Sequence, residues 1–190
     1  MRSNAAVRST SAGTISPGPA LLAFRVAAAL ACFAAVACGE HPTDDALRRR
    51  FEAHEQDFAR LVAMSNEDAR VVRIAPDFTR LDSNWAWPRP DSLLGFSRTR
   101  WEEYRALFRR VGLESGLTRE TADGGAPVVL LTASALGIVN HGSSKGFAYS
   151  TAALSPLYPS LDHLPNDVRS ANHGVAYRPL RDGWYLELDW

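Results

Sequence analysis

The segment NHGSSKG, residues 140–146, places a histidine, two serines and the only lysine of the chain close together. A serine hydroxyl can attack a carbonyl group when a neighbouring histidine or a deprotonated lysine accepts its proton. The backbone amides of a glycine-containing loop can instead bind an anion, with a lysine beside them. Glycine, asparagine and serine in the same segment also favour a turn. The segment therefore has three interpretations: a nucleophile, an anion site and a hairpin loop.

Each chemical interpretation requires something that the surrounding sequence must supply. A phosphate-binding loop has its lysine after the last glycine and before a helix, whereas here the lysine precedes Gly146 and a strand pattern follows. Serine–lysine catalysis requires a lysine whose pKa is lowered by burial, which the tip of a loop does not provide. We therefore predict a hairpin loop. Catalysis by Ser143, Ser144 and His141, and binding of an anion or peptide by Lys145, remain as alternatives.

A full catalytic triad would need a carboxylate from elsewhere in the chain. Ser143 could combine with His141 or His173, and with Asp162 or Asp167. We expect no nucleophile elbow, the sharp turn that exposes a catalytic serine, among these residues. The sequence therefore predicts that the protein is not an enzyme, and a serine–histidine hydrolase is the alternative.

Neither metal nor cofactor chemistry is indicated. The histidines are too far apart for the HxH, HxxxH or HExxH spacings: His41, His54, His141, His163 and His173. Cys32 and Cys38 are the only cysteines, and both precede the predicted domain. We therefore expect no metal site and no cofactor.

Two tryptophans are a further candidate for binding. Trp85 and Trp87 lie two residues apart and are flanked by Pro88 and Pro90. Exposed tryptophans mark interfaces, but tryptophans in a proline-containing loop can also be buried against the core. Both interpretations remain open.

Two amphipathic helices are predicted to position these residues. Apolar residues recur at helical spacing behind the N-cap residue Thr43 and predict a helix at about residues 44–64. A second helix is predicted to begin near Thr99, the first residue of a capping box, and to end at Gly112. Each helix has one apolar face, so each must pack against another element.

Strand patterns fill most of the remaining chain. Residues 69–82 predict one or two short strands, and residues 83–97 a loop with some buried aromatic side chains. From residue 127 onward the strand-like segments are PVVLLTA, ALGIVN, GFAYST, GVAYRPL and GWYLELDW. Between the last two, Asp182-Gly183 predicts a two-residue hairpin turn.

The last of these strands alternates between two kinds of residue. Tyr185, Glu187 and Asp189 alternate with large apolar side chains, so we expect these three to face water and the apolar set to face the core. The predicted fold is α+β, with two helices packed on one face of an antiparallel sheet that ends in a β-hairpin.

Charge and composition exclude some classes of partner. Among 190 residues, 46% are hydrophobic and 22% charged, which is typical of a globular protein. The formal net charge is zero, so nothing indicates binding to nucleic acid.

The first 38 residues have the composition of a secretory signal. Residues 1–25 contain three arginines and no acid, and an apolar run of 13 residues, 26–38, follows. That run is too short to span a membrane, which takes about 20 residues, and has the length of a signal-peptide core. Removal of residues 1–37 would change the formal net charge from zero to −3.

The end of this signal resembles the lipobox of bacterial lipoproteins. Ala35-Val36-Ala37-Cys38 has small residues before a cysteine, and in that family the cysteine receives acyl chains such as palmitate. The resemblance implies a cleaved signal peptide at residues 1–37, a tether at 38–43 and one α+β domain at 44–190. Gly39 stands where an aspartate retains such proteins at the inner membrane, which implies the outer membrane and a domain facing the periplasm. A plain secretory signal is the alternative.

A wider resemblance carries no activity. The segments LVAMSNED, RWEEYRALFRRVGL, GFAYS and GWYLELDW are similar to those of small envelope lipoproteins of Gram-negative bacteria. The matching motifs are the apolar faces of helices and the ends of strands. The hypothesis from the sequence is a lipid-anchored module that binds a protein or another envelope component, with an immunity or inhibitor protein as a special case.

Overall fold

A computed structural model describes residues 40–81, 84–86, 96–122, 125–138, 141–171 and 173–190. Of residues 84–86, 138 and 141 it describes the backbone alone. The chain from Glu40 to Trp190 forms one compact unit. The predicted signal peptide and Cys38 lie outside the described residues, so both stay predictions.

Four helices occur in the described part of the chain. They are α1 (Asp44–Ala53), α2 (Glu55–Glu67), α3 (Arg98–Val111) and the single turn α4 (Asn166–Arg169). Among these residues, none of the helices has the length and apolar character that crossing a membrane requires.

In the same described ranges the helices accompany an antiparallel sheet of eight strands. The strands are β1 (Val71–Ile74), β2 (Thr79–Leu81), β3 (Asn84–Ala86), β4 (Gly116–Thr121), β5 (Pro127–Ile138), β6 (His141–Ser150), β7 (Val175–Arg181) and β8 (Trp184–Asp189). Their order across the sheet is β3-β2-β1-β4-β5-β6-β8-β7. The α+β class and the antiparallel sheet are confirmed.

The prediction of one continuous helix over residues 44–64 is wrong. His54 leaves the helical conformation, with φ −132° and ψ 24°, and separates α1 from α2. Its N–H donates to the carbonyl of Phe51, which closes α1, and its carbonyl accepts from Phe58 at the start of α2. The rings of Phe51 and Phe58 remain 5.4 Å apart in the core. The apolar periodicity was preserved across the break, and therefore the sequence did not reveal it.

The end of α3 agrees with prediction and its start does not. Gly112 takes the left-handed conformation, with φ 69°, and the N–H of Leu113 donates to the carbonyl of Phe108. At the start, Ser97 and not Thr99 is the N-cap, because the Ser97 hydroxyl accepts from the backbone N–H of Arg100. At the start of α1, Thr43 is the N-cap as predicted.

The predicted hairpin loop at residues 140–146 is also wrong. Residues 141–146 belong to β6 and pair with β5 from Ile138 to Thr132. The two strands are therefore longer than the sequence suggested, and the polar segment lies within the sheet. The turn at Asp182-Gly183 is confirmed, with φ of 48° and 81°.

Alternating residues of the sheet belong to two separate clusters. On the first face, Trp184, Leu186 and Leu188 join the main core, which also contains side chains from α1, α2 and α3. On the second face lies a smaller cluster that, among the described residues, has no helical member: Ala122, Val128, Leu130, Ala148, Leu154, Tyr177 and Tyr185. Glu187 also lies on the second face, yet only 7% of it is exposed, so the prediction that it faces water is wrong.

Candidate functional site

Lys145 lies on the first face of the sheet, in the same alternating set of β6 as Phe147. Only 3% of its side chain is exposed. A bulge in β5 between Thr132 and Ser134 adjusts the register beside it. The next residue, Gly146, allows this bulge, because a Cβ there would lie 2.1 Å from the carbonyl oxygen of Leu131. The only lysine of the chain is thus a core residue.

Two carboxylates neutralise the buried ammonium group. Its Nζ lies 2.8 Å from Oδ1 of Asp44 and 2.5 Å from Oδ1 of Asp162. Asp44 is the first residue of α1, and Asp162 lies in the connection between β6 and α4. The lysine therefore links the sheet to the start of a helix and to the long connection.

Asp44 is the most heavily bonded member of this group. Its Oδ2 accepts from the backbone N–H of Leu161 at 2.8 Å, from Nη1 of Arg178 at 3.0 Å and from the hydroxyl of Ser160 at 3.2 Å. Burial alone would raise the pKa of Asp44, but the contacts with Lys145 and Leu161 outweigh it and lower the pKa. Asp44 is therefore a buried anion, and its place in the first turn of α1 also suits the helix dipole.

His41 occupies the same face, next to this cluster. Its Nδ1 lies 2.6 Å from Oγ of Ser134 and its Nε2 lies 2.7 Å from Oγ of Ser143. Burial and the nearby charge of Lys145 lower the pKa of His41. The imidazole is therefore neutral near pH 7, with one nitrogen donating to a hydroxyl and the other accepting from one.

The arrangement is balanced in charge. Two cations, Lys145 and Arg178, lie against two anions, Asp44 and Asp162. The Nζ atom of Lys145 is therefore already engaged by two carboxylates. Nothing in the described ranges groups three or more histidine, cysteine, aspartate or glutamate side chains in a way that could hold a metal ion.

Chemistry remains available to the serine–histidine part of the cluster. A hydroxyl within hydrogen-bonding distance of a neutral imidazole, itself oriented by a third group, is the arrangement of an activated nucleophile. Ser143, His41 and Ser134 satisfy that distance criterion. The histidine is not the one that the sequence suggested.

The structure separates the residues that the sequence grouped in the segment 140–146. Ser143 and Lys145 belong to the cluster, whereas Ser144 pairs with Asp189 in the alternate set of the second face. His141 is the first residue of β6, and its side chain is outside the described residues. Trp85 lies on β3 opposite Arg80, without a described side chain, and Trp87 lies outside the described residues.

Residues 142–146 spell Gly-Ser-Ser-Lys-Gly, which satisfies the pattern Gly-x-Ser-x-Gly with Ser144 at its centre. In α/β-hydrolases this pattern forms a sharp turn between a strand and a helix, and the turn exposes the serine. Here all five residues lie within one strand, β6. The match therefore does not place Ser144 at a nucleophile elbow.

Sequence reasoning missed most of the cluster. His41 fell in the predicted tether, and Asp44, Ser134 and Arg178 were not predicted to belong to a site. One signal was available: extending the alternation of Phe147 and Tyr149 backward puts Lys145 on the same side. A lysine at a core position requires buried anions, and this requirement would have pointed to aspartates elsewhere.

In comparisons with protein-family models, with curated proteins and with solved structures, the chain finds no match.

Proposed function

We propose that this chain is a lipoprotein of the bacterial outer membrane, anchored through acyl chains on Cys38 and facing the periplasm. Its domain binds a protein or another envelope component and does not catalyse a reaction. An immunity or inhibitor protein, which intercepts a toxin or hydrolase, is the special case of this function.

The observation that carries the proposal is the position of His41. It lies three residues after Cys38 and is bonded to two strands, through Ser134 and Ser143. Three residues span at most about 11 Å, so an acyl anchor on Cys38 would hold this end of the sheet close to the membrane. A short and fixed attachment suits a domain that presents a surface to its partner.

Because the charges of the cluster are paired with one another, we expect a partner to bind another part of the domain. Lys145 is buried and neutralised by Asp44 and Asp162, and it is therefore not free to hold an anionic ligand. We infer that α1, α2 and α3 cover the first face of the sheet, whose side chains share the main core with them. The second face, with the half-buried Tyr177 and Tyr185, is then the surface that a partner would contact.

Acylation can be tested with a matched pair of cysteine variants. Labelling cells with an alkynyl palmitate analogue should mark the wild-type protein and Cys32→Ser equally. Cys38→Ser should lose the label and accumulate as the unprocessed precursor. Normal processing and labelling of Cys38→Ser would contradict the anchor.

Binding can be tested in cells that express the tagged full-length protein. After crosslinking and purification, mass spectrometry should find one dominant partner in a stoichiometric amount. Recovery of abundant envelope proteins alone, at the level of an untagged control, would contradict the binding function.

A second candidate function is supported by the contact between Ser143 and His41. In a hydrolase, Ser143 would attack an ester carbonyl while His41 accepts its proton, and His41 would return the proton to the leaving alcohol. A fluorophosphonate probe should then label the wild type and Ser144→Ala but not Ser143→Ala or His41→Ala. No labelling of the wild type would eliminate this candidate.

A further inference from the structure

Glu187 is a carboxylic acid buried on the second face of the sheet. It lies in the middle of β8, and only 7% of the residue is exposed. Its carboxylate forms no hydrogen bond or ion pair with another residue in the described part of the chain, and its oxygens keep some contact with solvent. A buried carboxylate without a donor or a cation is costly, so this position calls for an explanation.

The surroundings of Glu187 provide aromatic rings and further acids. Its direct neighbours across the sheet are Tyr177 on β7 and Gly146 on β6. The ring of Tyr177 lies 6.2 Å from that of Tyr185, edge to face. The charged groups that act on Glu187 are Asp189 and Glu120, and both are acidic.

We propose that Glu187, flanked by Tyr177 and Tyr185, is a binding site for a lysine or arginine side chain of a protein partner. A carboxylate next to aromatic rings suits an ammonium or guanidinium ion, which binds the acid by charge and contacts the rings through cation–π attraction. Asp189 and Glu120 add negative potential around Glu187. This inference rests on the proposed function as a binding module and specifies the chemistry of its partner.

Arg73, an arginine on the same face of the sheet, is already engaged. Nη1 of Arg73 donates to the hydroxyl of Thr118 at 3.0 Å, and its guanidinium group lies 5.6 Å from the ring centroid of Phe78. Arg73 interacts with the charge of Glu120 but is not among the groups that act on Glu187. No cation of the described residues is among the groups that act on Glu187, so the proposed site takes its cation from another molecule.

In the free protein, burial and the acids Asp189 and Glu120 raise the pKa of Glu187 to about 8. Burial and the same acids, with Glu187, also raise the pKa of Tyr177 to about 12, so this hydroxyl remains a neutral donor. Binding of a cation should displace the proton of Glu187 and strengthen as the pH rises through 8. Lys145 on β6 and Arg178 on β7 face the opposite side of the sheet. Titratable groups that share the second face with the site are Tyr185, Asp189, Glu120 and Arg73, and His173 acts on Asp189.

The test is the titration of Glu187 in the full-length protein in detergent, followed by carbon NMR of glutamate side chains. The probe is a short peptide with two arginines separated by glycine, and its counterpart has glutamine in place of arginine. The arginine peptide should lower the apparent pKa of Glu187, and the glutamine peptide should not. Glu187→Gln should weaken arginine-peptide binding by about 10- to 100-fold.

Glu114→Gln is the matched control, because Glu114 is exposed and lies outside the second face. It should bind the arginine peptide as the wild type does. Equal affinity of wild type and Glu187→Gln, or no binding up to about 10 mM, would overturn the site. Spermidine is a further probe. If spermidine binds more tightly than the peptide and its binding depends on Glu187, the proposal that the site binds a side chain of a protein is wrong.

Different experimental outcomes would contradict the cation site and the proposed binding function. If crosslinking captures the same partner with wild type and Glu187→Gln, the binding module stands and the cation site is wrong. If the peptide binds but no partner is captured in cells, the site stands and the binding function is wrong.

Discussion

At the scale of single residues, Lys145 shows how a chain can bury a charge. An ammonium group in the core is tolerated because Asp44 and Asp162 lie within 2.8 Å of it. Such a pair contributes little net stability compared with apolar residues, but removing one partner leaves a buried charge without compensation. The cluster is therefore sensitive to single substitutions and less sensitive to paired ones.

Substitution of Lys145 tests this dependence. Lys145→Met should reduce the free energy of unfolding by about 3 kcal/mol, because Asp44 loses its buried cation. Lys145→Met combined with Asp44→Asn should recover part of that loss, as coupled residues do in a double-mutant cycle. Urea unfolding of the four proteins measures the coupling.

Arg48→Met provides the control for this cycle. Arg48 pairs with Asp45 at the surface, where both side chains are about half exposed, and its loss should cost less than about 1 kcal/mol. An additive cycle for Lys145 and Asp44 would show that the two charges do not depend on each other.

At the scale of elements, the pairing of β5 with β6 creates the cluster. The bulge between Thr132 and Ser134 directs Ser134 toward His41 on the same face as Lys145. Gly146 is required for this pairing, because the carbonyl of Leu131 occupies the space where a side chain would begin. A backbone contact of that kind cannot relax by a change of rotamer.

Gly146→Ala tests the bulge. The added methyl group would lie 2.1 Å from the Leu131 carbonyl oxygen and should force the strands apart, at a cost of more than about 2 kcal/mol. Gly142→Ala in the same strand is the control, because its nearest backbone contact is 3.2 Å and should cost less. Thermal unfolding followed by circular dichroism compares the two variants. Equal melting temperatures would show that the sheet accommodates a side chain at the bulge.

At the scale of the whole molecule, the two faces of the sheet carry titratable groups with opposite effects on stability. The pKa of His41 is lowered by burial and Lys145, so the unfolded chain binds the proton more readily and stability falls as the pH decreases below about 6.5. The pKa of Glu187 is raised to about 8, so the folded protein holds this proton more tightly. Stability then falls as the pH increases from about 4.5 through 8.

The pH dependence of unfolding separates these contributions. Between pH 6.5 and 8 the free energy of unfolding should decrease in the wild type by at most about 2 kcal/mol, out of about 5 kcal/mol between pH 4.5 and 8. Glu187→Gln should remove this decrease, and Glu114→Gln should leave it unchanged. Denaturant unfolding at several pH values measures both slopes. A flat wild-type profile would show that Glu187 is not buried as the structure describes.

The sequence by itself determined the features that depend on local spacing. Periodicity predicted the apolar faces of the helices, Thr43 and Gly112 predicted two helix ends, and Asp182-Gly183 predicted the last turn, because each signal lies within a few residues. The α+β class and the antiparallel sheet followed from the order of those patterns. The break at His54 escaped prediction because the apolar spacing continues across it.

Only the tertiary structure decided which polar residues meet. His41 and Ser143 are 102 positions apart, and Asp44 and Arg178 are 134 positions apart, so no local pattern connects them. The burial of Glu187 likewise depends on the side chains that pack around it, and strand alternation specifies only which face a residue occupies. Local interactions determine the elements of this chain, whereas its buried charges depend on contacts that form only when distant elements pack together.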